Sequence, residues 1–187
     1  MGPRFQPDDT LYKRRNTLKV EYVPDDIVGR DNEIEEYEAA LQPIINGEYP
    51  DNIFIYGKTG VGKTAVTNFL LNELRESADH FEVDLTVISL NCDGLSTSYQ
   101  AAISLVNNLR GHENHIAETG HPQSKVYRLL WNELNKLSGS VIIVLDEIDH
   151  ITDDTFLYQI TRADNNGYID NIQLGVIGIS NDSTFRE

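Results

Sequence analysis

Eight consecutive residues carry the chemistry most legible in this chain: Gly57, Lys58, Thr59, Gly60, Val61, Gly62, Lys63 and Thr64. They fit G-x-x-x-x-G-K-[ST] with no departure. Glycines at these places let the backbone turn tightly and aim its N–H groups into one hollow. A helix opening at the end of the motif adds the partial positive charge of its first turn. Such a hollow accepts the phosphates of a nucleotide. Lys63 has the reach for the β- and γ-phosphates, and the Thr64 hydroxyl can ligate Mg²⁺. The expected ligands are therefore ATP or ADP, with Mg²⁺.

A second group lies far along the chain. Asp146 and Glu147 directly follow the apolar run "VIIVL". In a parallel α/β sheet, ligands bind beyond the carboxyl ends of the strands, and both carboxylates fall at such an end. Asp146 suits the hydration shell of Mg²⁺, and Glu147 suits polarising a water for attack on the γ-phosphate. Asn181 closes the run "IQLGVIGIS". On a strand beside that of Asp146, its amide would face the γ-phosphate or the attacking water; the other reading is an Asn-Asp turn. Asp149 reads as a local cap or hydrogen-bond partner. His112, His115 and His121 stand in a polar loop without cysteine partners, which argues against a metal site there. Tyr127 and Trp131 lie at helical spacing and read as core.

The elements that must position these residues alternate along the chain. Residues 31–45 read as a helix with Asp31 as N-cap and Ile34, Tyr37 and Leu41 on one face, ending near Pro43 and Gly47. Residues 52–57 read as a short buried strand, and 63–78 as a helix with Val66, Phe69, Leu70 and Leu74 on its apolar face. Strands follow at 81–92, 140–149 and 172–182. Helices are expected at 98–111 (stopped by Gly111), at 124–139 (capped by Ser124, stopped by Gly139) and at 155–166. Strands that are apolar along their whole length imply a parallel sheet covered on both faces. The fold class is therefore α/β, a three-layer arrangement with a central parallel sheet, without repeats or a separate second domain.

Composition adds constraints. The chain has 187 residues, 30 acidic and 15 basic, for a net charge of −15. Two of its lysines stand inside the glycine-rich motif. The excess acid reads either as a solubility device for a salt-rich cytoplasm, where screening is short-ranged, or as a preference for cations and basic partners. Residues 1–26 form an arm that is locally basic through Lys13, Arg14, Arg15 and Lys19; it is either a phosphate-touching segment or a solvated leader. No run of 18 apolar residues exists, so no membrane partner is expected. The single cysteine, Cys92, cannot make an internal disulfide and reads as a small hydrophobe at a strand end. The expected location is the cytoplasm.

The motifs "GKTGVGKT", "VIIVLDEID" and "GISND", in this order, resemble the Walker A, Walker B and sensor 1 elements of the P-loop NTPases of the AAA+ type. The flanks sharpen the likeness. "YVPDDIVGRDNEI", "NCDGLSTSYQAAISLVNNL" and "TFLYQITRADNN" resemble archaeal DNA replication initiators of the origin recognition and cell-division-control type, over roughly residues 10–187. The resemblance implies an AAA+ domain at 27–187 behind the arm. It also implies ATP-dependent origin DNA recognition, loading of a replicative helicase, and contact with other initiator copies. It makes Asn181 the sensor 1 residue and places Val28, Gly29 and Arg30 on the adenine side. The acidic composition resembles that of halophilic archaea. In that family an arginine-finger helix, a helical lid with a sensor 2 arginine and a winged-helix domain follow sensor 1. The sequence stops at Glu187 before any of these, so the expectation is a fragment or a truncated paralogue. ATP would then act as a switch with slow hydrolysis, or the chain would serve as a nucleotide-binding regulatory module or an AAA+ ATPase outside replication.

Overall fold

The computed structural model describes residues 29–182. The basic arm at 1–26 and Val28 lie outside the described residues. Among the described residues, five α-helices alternate with four strands: α1 Asp31–Ile45, β1 Ile53–Tyr56, α2 Lys63–His80, β2 Leu85–Asn91, α3 Ser98–Leu109, α4 Gln123–Leu134, β3 Gly139–Asp146, α5 Thr155–Ile160 and β4 Ile172–Ser180. The strands pair in the order β1-β4-β3-β2, every pair parallel. The expected α/β class and parallel central sheet are what the chain adopts.

Successive residues of β3 point to opposite faces, as a strand requires. Ile142 and Val144, with Ile177 and Ile179 of β4, pack against Tyr37, Leu41 and Ile44 of α1 and Val66, Leu70 and Leu74 of α2. Val141, Ile143 and Leu145, with Val176, pack against Leu105 and Val106 of α3, Leu130 and Trp131 of α4, and Phe156 of α5. Both faces being covered explains why the strands are apolar throughout rather than alternating.

Boundaries depart from expectation where local chemistry overrides pattern. Asp31 is not the cap of α1; Arg30 holds that position, without a side-chain capping bond. Asp31 and Glu33 instead sit in the first turn, where carboxylates complement the helix dipole. α1 continues past Pro43, whose carbonyl accepts the N–H groups of Asn46 and Glu48. The strand expected from residue 81 begins at Leu85, because α2 runs on to His80. α3 is capped by Thr97, whose hydroxyl accepts from the Gln100 N–H, and it ends at Leu109, two residues before Gly111. α4 starts behind Pro122 rather than Ser124 and ends at Leu134. Gly139 therefore does not stop a helix but opens β3. Its φ is +69°, and an added Cβ would lie 2.3 Å from the Asp84 carbonyl oxygen, so only glycine fits this close approach. α5 spans six residues, not twelve. The run Asp164-Asn165-Asn166-Gly167 turns the chain instead, with the Tyr168 N–H closing back on the Ala163 carbonyl.

One buried charge ties the α3 and α4 ends together. Glu133 is 6% exposed. Its Oε1 accepts from Nε and Nη2 of Arg110, both at 2.6 Å, and Oε2 accepts from Lys136. Burial pushes its pKa up, but the hydrogen bonds from Lys136 and Arg110 outweigh burial and hold it below the ordinary carboxylate value. A carboxylate depressed in the folded state stabilises above its unfolded pKa, and that contribution disappears as pH falls through the folded value. Glu133→Gln should lower stability at pH 7 by roughly 1–3 kcal/mol, the scale of hydrogen bonds to charged groups. In urea melts the deficit should shrink below about pH 4, the ordinary carboxylate range; a deficit independent of pH would show that the charge is not what matters.

Candidate functional site: a phosphate-loop centre

The sheet order determines what meets what. β4 lies between β1 and β3, so the residues after β1, β4 and β3 emerge side by side at one edge. Tyr56 pairs with Ser180, and Leu145 pairs with Gly178. The glycine-rich loop leaves β1, Asn181 leaves β4, and Asp146 ends β3. The expected convergence of loop, carboxylate and amide is therefore present.

The loop enters α2 through Gly62, which holds the N-cap position in a left-handed conformation, φ +89°. No L side chain adopts that geometry easily, and α2 starts at Lys63 because of it. Lys63 is 8% exposed, an unusual burial for lysine. Its ammonium has three hydrogens, and three acceptors surround it: the carbonyls of Gly57 at 2.8 Å and Lys58 at 3.1 Å, and Oδ1 of Asn181 at 2.8 Å. One cation thus ties the exit of β1 to the exit of β4. Asn181 is itself fixed from behind, since its backbone N–H donates to Oδ1 of Asp149 at 2.9 Å. Asp149 acts as the hydrogen-bond partner expected of it, at the site and not at a helix end.

The Thr64 hydroxyl donates to Oδ2 of Asp146 at 2.9 Å. Two oxygen donors from distant segments, facing each other at the loop's mouth, fit a hard cation such as Mg²⁺. Oδ1 of the same carboxylate accepts the Glu147 N–H at 3.0 Å. That bond accompanies a left-handed backbone at Glu147, φ 55° and ψ 41°, a conformation uncommon outside glycine and asparagine. The Glu147 carboxylate lies beside Asp93 and His150, all three donor groups within 4.8 Å of one another. Lys58, Thr59, Gly60 and Val61 are exposed along the loop.

Three supports were not readable from spacing. The Tyr37 hydroxyl lies 2.7 Å from Oγ1 of Thr67. Because the Thr67 hydroxyl gives its hydrogen to the Lys63 carbonyl at 3.0 Å, the tyrosine is the donor. Burial, first, and then the Asp146 charge push the Tyr37 phenol up to about 12. This chain of bonds fastens α1 to the first turn of α2. Arg30 donates to the Val61 carbonyl and faces Glu33 at 3.6 Å, so it braces the loop itself. The third is Asp93 with His150, whose Oδ1 and Nδ1 are 3.4 Å apart.

Comparison with known proteins agrees with this fold. The family model described as an AAA domain matches residues 46–180. The chain belongs to the AAA domain family. It is 53% identical to ORC1-type DNA replication protein 11 of Haloarcula marismortui, over 98% of this chain and 44% of that protein. Among solved structures it is similar to the Aeropyrum pernix ORC1 protein in complex with DNA, with a TM-score of 0.79 and 32% identity over 94% of this chain and 44% of that one. A structure of Aeropyrum pernix ORC2 in ADPNP and ADP complexes shares the fold at a TM-score of 0.70 and 20% identity, over 92% of this chain and 46% of that one. The chain thus spans less than half the length of these relatives. The resemblance to archaeal initiators read from the motifs stands, and the Haloarcula source fits the acidic composition. No described helix is long and apolar enough to cross a membrane.

The Arg30 brace has a direct consequence. Arg30→Ala should leave the fold intact and raise amide hydrogen exchange several-fold at residues 58–62, measured by mass spectrometry. Unchanged exchange there would mean that Arg30 does not restrain the loop.

Proposed function

We propose that this AAA domain binds ATP or ADP with Mg²⁺ as the nucleotide-binding part of a DNA replication initiator, with ATP acting chiefly as a switch. The observation that carries the proposal is the ring of acceptors around the Lys63 ammonium, next to the Thr64–Asp146 pair. Lys63 would exchange carbonyl and amide oxygens for β- and γ-phosphate oxygens. Loop N–H groups and the first turn of α2 would hold the remaining phosphate charge. Thr64 and Asp146 would hold Mg²⁺, which neutralises charge building on the phosphates. Asn181 would meet the γ-phosphate or a water beside it, and Glu147 would orient that water. Gly57, Lys58, Thr59, Gly60, Val61 and Gly62 would wrap the phosphates, with Arg30 bracing Val61 and, with Val28, standing on the adenine side.

The Glu147 carboxylate also lies within 4.8 Å of donor atoms of Asp93 and His150, a second group that it can engage besides a water at the loop. We further propose that the basic residues Lys13, Arg14, Arg15 and Lys19 touch origin DNA. A replicative helicase and other initiator copies are the proposed protein partners, by analogy with the relatives' replication role.

Two measurements test the nucleotide reading together. Lys63→Ala should weaken ATP and ADP binding by about 10–100-fold, the worth of charge-assisted hydrogen bonds to phosphate; unchanged affinity in calorimetry would refute the phosphate loop. Glu147→Gln should keep ATP bound and slow turnover by about 10²-fold or more, and turnover equal to the parent would remove Glu147 from the role. DNA contact is tested separately by salt. Neutralising Lys13, Arg14 and Arg15 should reduce the slope of log affinity against log salt by about 0.9 for each DNA phosphate that the arm no longer neutralises, and an unaltered slope would exclude the arm.

A further inference from the structure

Asp93, Glu147 and His150 form a ligand set that the nucleotide reading does not absorb. They come from two separate exits of the sheet: Asp93 two residues beyond β2, Glu147 and His150 just beyond β3. A carboxylate oxygen from each acid and a ring nitrogen of the histidine all lie within 4.8 Å of one another.

The backbone under the set is fixed on both sides. Cys92, next to Asp93, donates its N–H to the Asp146 carbonyl at 2.8 Å, and the Asp93 N–H donates to Oδ1 of Asn91 at 2.7 Å. His150 donates its N–H to the Glu147 carbonyl at 3.1 Å. Nδ1 of His150 and Oδ1 of Asp93 are 3.4 Å apart. Two ligands on a tetrahedral zinc ion, with bonds of about 2.0–2.2 Å, are separated by about 3.3–3.5 Å. One edge of the coordination shell is therefore already at the right length, and the third donor atom lies within 4.8 Å of both. Asp93 and His150 are exposed and Glu147 is half-buried, leaving room for water at the remaining positions.

The donor types select the ion. Mg²⁺ prefers six oxygens and keeps several waters. An imidazole nitrogen with two carboxylates suits Zn²⁺ and neighbouring divalent transition metals. Four carboxylates (Asp93, Asp146, Glu147 and Asp149) stand around the exits of β2 and β3, a field that concentrates divalent cations.

We propose that Asp93, Glu147 and His150 bind a divalent transition-metal ion of the Zn²⁺ class, at a site separate from the Thr64–Asp146 pair. A carboxylate held on zinc is a much weaker base toward water, so occupancy slows turnover by engaging Glu147. That consequence rests on the ATPase reading above; the binding does not.

The test is calorimetric titration of the whole chain with ZnCl₂, without nucleotide, in high salt and excess Mg²⁺. One equivalent should bind. His150→Ala and Asp93→Asn should each weaken binding at least about 10-fold, while His115→Ala, in the polar loop, should bind like the parent. Circular dichroism checks that the variants fold. Absence of zinc binding by the parent, parent-like affinity in both site variants, or loss of the signal in His115→Ala would each overturn the proposal. Because nucleotide is absent, failure of the ATP reading leaves this result unaffected, and the reverse holds too.

Discussion

A single ammonium group organises this molecule. Lys63 places all three of its hydrogens on acceptors from two strand exits, and it does so while almost wholly buried. A lysine so placed is costly unless each hydrogen is satisfied. The loop carbonyls and the Asn181 amide are therefore held by electrostatic need as much as by chain geometry. The sheet order makes this possible: with β4 inserted between β1 and β3, the amide, the lysine and the Asp146 carboxylate share one edge although they are separated by up to 118 residues in sequence.

The same arrangement reconciles the loop with a strongly acidic chain. At an ionic strength of about 0.15 M the Debye length is about 8 Å, so distant carboxylates act weakly on a ligand at the loop. What would govern the proposed nucleotide binding is local: backbone N–H groups, the first turn of α2 and the ammonium. The acid nearest the site is arranged with a division of labour. Asp146 is engaged by Thr64 and by the Glu147 N–H, Asp149 holds Asn181, and Glu147 keeps company with Asp93 and His150.

Much of this was legible in the residues alone. The eight-residue loop, the acids after an apolar strand and the amide after the last strand rest on local rules, and all three stand where those rules put them. The order and type of every strand and long helix followed from apolar periodicity. Element ends were less legible, because the deciding features are small. Thr97 supplies a cap that periodicity does not mark, Gly139 yields to an approaching Asp84 carbonyl, and residues 164–167 turn where periodicity suggested helix. Most of the supporting bonds were hidden. Arg30 to Val61, Tyr37 to Thr67, Asp149 to Asn181 and His150 to Asp93 each join residues about 30 or more apart, and no local pattern encodes such meetings. A faint signal existed for Asp149 alone, three residues after Asp146 in the same acidic exit.

The buried thiol at the end of β2 has a practical meaning. Cys92 is fully buried, and burial together with the nearby carboxylates pushes its thiol up to about 12, so it stays protonated at neutral pH. The only sulfhydryl in the chain is therefore nearly inert toward alkylating dyes and peroxide, which act on thiolates. A cysteine introduced on the surface would carry a fluorophore or spin label alone, with the native residue left in place.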